Sequence, residues 1–290
     1  MTTIGQMPRK ILLSTDLSAR CDRAMDRAVQ LAEQWKADLV VAHAVMGEDV
    51  VMREADGRIP SWRRGPDAQD IAERQLRSDL GQIGVNVKII VEPGEPGEVV
   101  LRAAKAQGCD LIMTGIARDE PLGRFLLGST VDRLLRQADI PVLVVRDRVR
   151  HPYNHVAVAV DFSDSARRAL ESADRLFPRH PLTVFHAYDA PKSGRMTDSD
   201  SYQREYRKVV EQDFEAFLQK AELSADRKKG LLRLFERGDP ARLLRDYTRD
   251  RRIDLIVLGS LGRGFLKEAL IGNTAKAIID GLPCDALIVR

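Results

Sequence analysis

"GDPARLLRDYTRDRRIDLIVLG", Gly238 to Gly259, decides the fold. A glycine and a helix-opening Asp-Pro are followed by a charged stretch with Leu243, Leu244 and Tyr247 at helical spacing, and then by the apolar run Leu255–Leu258. Turn, helix and strand in that order form one step of an alternating α/β chain. The step is written twice. "GEPGEVVLRAAKAQGCDLIMTG", Gly94 to Gly115, repeats it with the same glycine, proline and closing apolar-glycine run.

The correspondence extends in both directions. "KILLSTDLSARCDRAMDRAVQLA" from Lys10 matches "HVAVAVDFSDSARRALESADRLF" from His155, and "ADLVVAHAV" from Ala37 matches "HPLTVFHAY" from His180. "GSTVDRLLRQADIPVLVVR" from Gly128 matches "GNTAKAIIDGLPCDALIVR" from Gly272. A register held over so many different residues means two copies of one domain, each long enough to bury its own core. The expected domains are residues 1–149 and 150–290, joined near the polar segment Asp147–Asn154.

Within the first copy the pattern predicts strands at Ile11–Ser14, Leu39–His43, Val85–Val91, Leu111–Thr114 and Val142–Val145. Helices are predicted at Leu17–Ala37, Asp67–Ile83, Gly97–Ala106 and Gly128–Gln137. The second copy repeats the order, with Ser163–Phe177 and Asp198–Leu223 as its first two helices; 47–66 and 189–199 read as loops. Near-continuous Val/Ile/Leu strands imply sheets covered on both faces. The expected fold is therefore α/β: two tandem, doubly wound, five-stranded parallel sheets in the order 3-2-1-4-5.

Composition narrows the function. A net charge of +3 on 290 residues lacks the basic excess of a dedicated nucleic-acid binder. No apolar run is long enough to span a bilayer, and three scattered cysteines suggest neither a disulfide framework nor a zinc site, so a reducing cytoplasm is expected. No P-loop and no Ser/His/Asp or Cys/His grouping points to a hydrolase.

In an open parallel sheet the ligand crevice lies where the strand order reverses, here between strands 1 and 4. Strand 1 runs into Asp16 or Asp161, and strand 4 into Gly115 or Gly259. The stretch "LGSLGRGFLKEALIGNTAK", Leu258 to Lys276, carries four glycines into a helix N-terminus, where backbone N–H groups and the helix dipole favour an anion. The same stretch also reads as a glycine-rich turn with Asn273 as an ordinary N-cap. His43 and His186 end the second strands and read as partners of nearby backbone.

Gly259-x-x-Gly262, nine residues, and then Gly272 resembles the nucleotide loop of the universal stress protein family. "VDFS" after strand 1, the histidine ending strand 2, "GDP" and the closing "LPCDALIVR" agree, and the fused pair with "GNTA" resembles the E-like tandem subgroup. The resemblance implies a cytoplasmic stress-response protein, dimeric or fused as a pseudo-dimer, with ATP and Mg²⁺ as ligands in some members; whether the fused pair forms a further homodimer is left open by the sequence. Carried over by position, it implies nucleotide contacts at Asp161, Ala187, Gly259, Gly262, Gly272, Asn273 and Thr274. In the first half it implies Asp16, Ala44, Gly115, Gly128 and Ser129, where Arg118 replaces the second loop glycine and makes that site the weaker candidate. Asn273 replaces the usual hydroxyl residue. Alternatives to a nucleotide sensor are an adaptor that binds protein partners, a carrier of a more apolar, lipid-like ligand over the small residues Ala44 and Ala187, and a slow ATPase. No resident metal is expected.

Overall fold

A computed structural model of the chain describes residues 7–19, 21–45, 68–116, 118–119, 124–125, 128–189, 200–260 and 272–290. The chain divides into two compact units, Met1–Arg150 and His151–Arg290.

The first unit contains β1 (Lys10–Ser14), α1 (Asp22–Trp35), β2 (Asp38–Val45), α2 (Ala68–Leu80), β3 (Val87–Pro93), α3 (Pro96–Gln107) and β4 (Leu111–Gly115). A two-residue antiparallel pair, β5 (Arg118–Asp119) with β6 (Arg124–Phe125), precedes α4 (Ser129–Gln137) and β7 (Val142–Val145). The main strands are parallel, in the order β3-β2-β1-β4-β7.

The second unit contains β8 (Val156–Ala159), α5 (Asp164–Leu176), β9 (Leu182–Tyr188), α6 (Asp200–Lys220), α7 (Ala225–Lys229) and β10 (Leu232–Arg237). It ends with α8 (Pro240–Arg251), β11 (Leu255–Gly259), α9 (Asn273–Gly281) and β12 (Asp285–Val289). Its parallel order is β10-β9-β8-β11-β12. In both units this is 3-2-1-4-5, the doubly wound order the sequence predicts.

The chemistry behind the elements is repeated as well. Consecutive Ile11, Leu12 and Leu13 are all fully buried, which requires helices on both faces of β1. Gly94 and Gly238 share a φ of 140°, a region that disfavours any side chain. Glu95 and Asp239 then cap α3 and α8 by accepting the amides of Glu98 (2.9 Å) and Arg242 (2.7 Å). Pro96 and Pro240 occupy the first helical turn, where no N–H is missed.

Three features depart from the sequence reading. Helix α1 begins at Asp22 rather than Leu17, because Leu17 takes a left-handed φ of 62° and the Leu17 and Ser18 amides donate back to Thr15 Oγ1 (3.1 Å) and Asp16 Oδ1 (2.9 Å). Helix α7 is additional. Ser224 caps it, and Arg227 holds it down by ion-pairing with Asp174 and donating to the carbonyls of Phe177 (3.0 Å) and His180 (2.6 Å). The β5–β6 pair interrupts what reads as a single loop. The expected loop at 47–66, and all but Asp189 of the one at 189–199, lie outside the described residues.

Candidate ligand-binding crevices

In each unit the neighbouring strands β1 and β4, or β8 and β11, feed helices that leave from opposite faces of the sheet. A crevice opens at their carboxyl ends. In the first unit it is a cavity of about 510 Å³ that brings together Asp16, Ala44, Gly115, Gly128 and Ser129. In the second, a cavity of about 490 Å³ gathers Asp161, Ala187, Gly259, Gly272, Asn273 and Thr274. The residues meet although up to 113 positions separate them. Gly262, Gly264, Arg263 and Lys267 lie outside the described residues, as does the Arg118 side chain.

The frame around both aspartates is the same. Asp16 Oδ1 accepts Ser18 N (2.9 Å) and Oγ (2.6 Å), and Asp161 Oδ1 accepts Ser163 N (3.1 Å) and Oγ (2.6 Å). The next residue is left-handed in each unit, Leu17 at φ 62° and Phe162 at φ 63°, although both carry bulky side chains. Such strain persists only where the surroundings enforce it, and it collects at functional sites. Here it turns the chain sharply, so that the carboxylate stays at the crevice mouth. Asp161 does not cap α5; Ser163 Oγ does, accepting the Ala166 amide at 3.2 Å.

His43 and His186 buttress this turn from strand 2. Their Nδ1 atoms lie 3.0 Å from the Thr15 carbonyl and 2.7 Å from the Val160 carbonyl, so each ring donates there. Phe162 stacks on His186 at 4.2 Å and packs near Phe214 and Phe217, a cluster that clamps the left-handed residue in the second unit.

Helices α4 and α9 point their N-termini into the crevices. Their N-caps are Gly128 and Gly272, neither with a side-chain cap. Asn273 is therefore the first helical residue and not the N-cap, which corrects the alternative reading of that position. Gly272 N donates to the Ser260 carbonyl at 3.2 Å, tying both ends of the 261–271 stretch together. The first-turn amides of Asn273 and Thr274 have no partner earlier in the helix, as in any α-helix start.

Gly259 has a different explanation from the expected one. A Cβ there would lie 2.7 Å from the Ser165 carbonyl carbon and 2.3 Å from its Oγ. The missing side chain makes room for helix α5, and the residue lines the crevice as a consequence of that packing.

The linings differ sharply. The first crevice presents Ser14, Thr15, Cys21 and Thr114, where the second has Ala159, Val160, Ala166 and Leu258. Burial works against the Asp16 charge, yet hydrogen bonds from Ser18 and Cys21 outweigh it and leave the carboxyl below its ordinary value. Burial, followed by the nearby Asp16, pushes the Cys21 thiol up to about 11. Sequence reasoning did not single out Ser14, Thr15, Cys21 or Thr114. Setting the two copies side by side around Asp16 and Asp161 is the signal that finds them.

A profile of the universal stress protein family matches residues 7–146 and again 152–290. The chain belongs to the universal stress protein family. It is a tandem, E-like member. Universal stress protein E of Salmonella typhi is 24% identical over 234 residues, covering 72% of this chain and 70% of that protein. The universal stress protein E homolog of Haemophilus influenzae is 23% identical and covers 97% of both chains. A universal stress protein structure from Archaeoglobus fulgidus, 18% identical, superposes with a TM-score of 0.67 over 97% of this chain and 98% of that one. No helix among the described residues is long and apolar enough to cross a membrane.

Proposed function

We propose that the chain is a cytoplasmic stress-response binding protein that takes an adenine nucleotide, or a related phosphate, in the crevice of its second unit. The observation that carries this reading is the helix N-terminus at Gly272–Thr274, open at its first turn and facing Asp161 across one cavity. The phosphates would meet the amides of Asn273 and Thr274, and the nucleoside would lie toward Asp161 and Ala187. The resemblance of Gly262 and Gly272 to the family's nucleotide loop supports the same placement. Magnesium would arrive with the nucleotide, and no catalytic step is assigned.

Calorimetry with Mg-ATP on the intact chain tests this. Asn273→Ser should tighten binding about tenfold, because a hydroxyl restores one phosphate hydrogen bond worth roughly 1.5 kcal/mol. Absence of ATP binding by both the native chain and Asn273→Ser would end the nucleotide reading.

A second reading is favoured by the lining itself. Ala159, Val160, Ala166, Leu258 and Ile278 make the second crevice a good host for a more apolar ligand. Native mass spectrometry of freshly purified protein separates the readings: a nucleotide mass supports the first, and a lipid-like mass the second. An empty crevice would favour an adaptor that works through protein partners.

A further inference from the structure

The second unit has another hollow, at the opposite, amino ends of its strands. It measures about 480 Å³ and lies between the start of β10 and the last turn of α8, with Leu232, Leu234, Tyr247, Arg251, Ile253 and His155 on its walls. Its volume falls within the usual range for small-molecule sites.

The first unit shows why the hollow is unusual. At the corresponding positions it carries Lys10 for His155, Lys88 for Leu232, Ala103 for Tyr247 and Gln107 for Arg251. There Lys10 Nζ donates to the Gln107 carbonyl (3.0 Å), and Lys88 Nζ to Gln107 Oε1 (2.9 Å), meshing the surface together. In the second unit that mesh is gone. Leu232, 58% exposed, replaces a lysine on an outer strand, where a charge ordinarily guards the edge. Tyr247 packs beside Phe185 at 5.7 Å, with its hydroxyl 3.4 Å from Thr183 Oγ1.

Side chains alternate along β10, so Leu232 and Leu234 face α8 while Arg233 turns to the other face, over Phe214 and toward Glu215. Two arginines line the hollow: Arg233 is paired with Glu215, whereas the exposed Arg251 has no ionic or hydrogen-bonding partner among the described residues. Asp254, close by in sequence, is engaged elsewhere: it accepts the amides of Asn154 and His155 at 2.8 Å each and stands 4.0 Å from His155 Nδ1.

We propose that this hollow binds a small aromatic carboxylate, its ring against Leu232, Leu234 and Tyr247 and its carboxylate paired with the Arg251 guanidinium. The guanidinium fork matches a carboxylate in two parallel hydrogen bonds. The site is independent of the nucleotide crevice, and a ligand here need not compete with one there.

The probe is 1-naphthoate, titrated into the intact ¹⁵N-labelled chain and followed by NMR. Amide shifts should concentrate at Thr183, Leu232–Leu234 and Tyr247–Ile253. Leu232→Asn, which removes the apolar wall at an exposed position without adding a charge, should weaken binding about tenfold or more. Arg251→Gln should do the same, and neutral 1-naphthamide should bind the native chain at least about tenfold more weakly. Shifts confined to the carboxyl-end crevices, equal affinity in Leu232→Asn or Arg251→Gln, or equal affinity for the amide would each overturn the assignment.

Discussion

The two crevices share a frame and differ in their lining. Each keeps an aspartate after its first strand, a strained left-handed residue behind it, a histidine donating to the backbone of the turn, and a glycine N-cap on the facing helix. Between these fixed points, the hydroxyls and thiol of Ser14, Thr15, Thr114 and Cys21 give way to Ala159, Val160, Leu258 and Ala166. Duplication therefore preserved what shapes the crevice and left its polarity to change. A frame residue answers to the backbone around it. A lining residue can change where a replacement of similar size still packs, as Val160 does at the position of Thr15, and the domain keeps its fold.

The frame is best broken at Gly259. Gly259→Ala forces a methyl group against the Ser165 backbone, and we expect the second unit to lose about 2–3 kcal/mol in denaturant unfolding. The first unit's transition should stay in place. Ser165→Ala should not rescue the loss, because the obstructing atoms include backbone. Full stability in Gly259→Ala would return that glycine to the ligand.

The lining is best probed at Cys21, which has no counterpart thiol in the second crevice. With its pKa raised from 9.0 to about 11, the neutral thiol is the favoured form, and reactivity should keep climbing with pH beyond 9. In a Cys109→Ser/Cys284→Ser background, alkylation at pH 8 should run about a hundredfold slower than for an exposed thiol. Any stability linked to this group is present below pH 9 and lost as pH rises toward 11. An ordinary alkylation rate would show that the thiol is not held beside Asp16 in a desolvated pocket.

The smallest effect concerns equivalent helix ends. Helices α3 and α8 both stop at a left-handed residue, Gly108 at φ 62° in one unit and Arg252 at φ 51° in the other. Arg252→Gly should stabilise the second unit by about 0.5–1 kcal/mol, and Gly108→Ala should cost the first a similar amount. Thermal unfolding that moves both units in the same direction would break the equivalence.

The duplicated register, the 3-2-1-4-5 order and the meeting of Asp161 with Gly259 and Gly272 were legible in the sequence. Each follows from local patterning: apolar strand runs, capped helix starts such as Gly238-Asp239-Pro240, and a short list of topologies that alternating strands and helices allow. The start of α1 was not legible, because helical periodicity runs back through Leu17 while the Thr15 and Asp16 side chains capture the backbone first. Nor was the role of Gly259. Its neighbour Ser165 lies 94 positions away, and only packing brings the two together. The same holds for the polarity of the crevices and for the hollow at Leu232, each assembled from side chains on elements distant in sequence. The sequence by itself determined the main strands and helices and their order, though not the short helix α7 or the β5–β6 pair. Tertiary structure decided which surfaces they present to a ligand, because a cavity is a property of facing side chains and no single stretch of chain contains both of its walls.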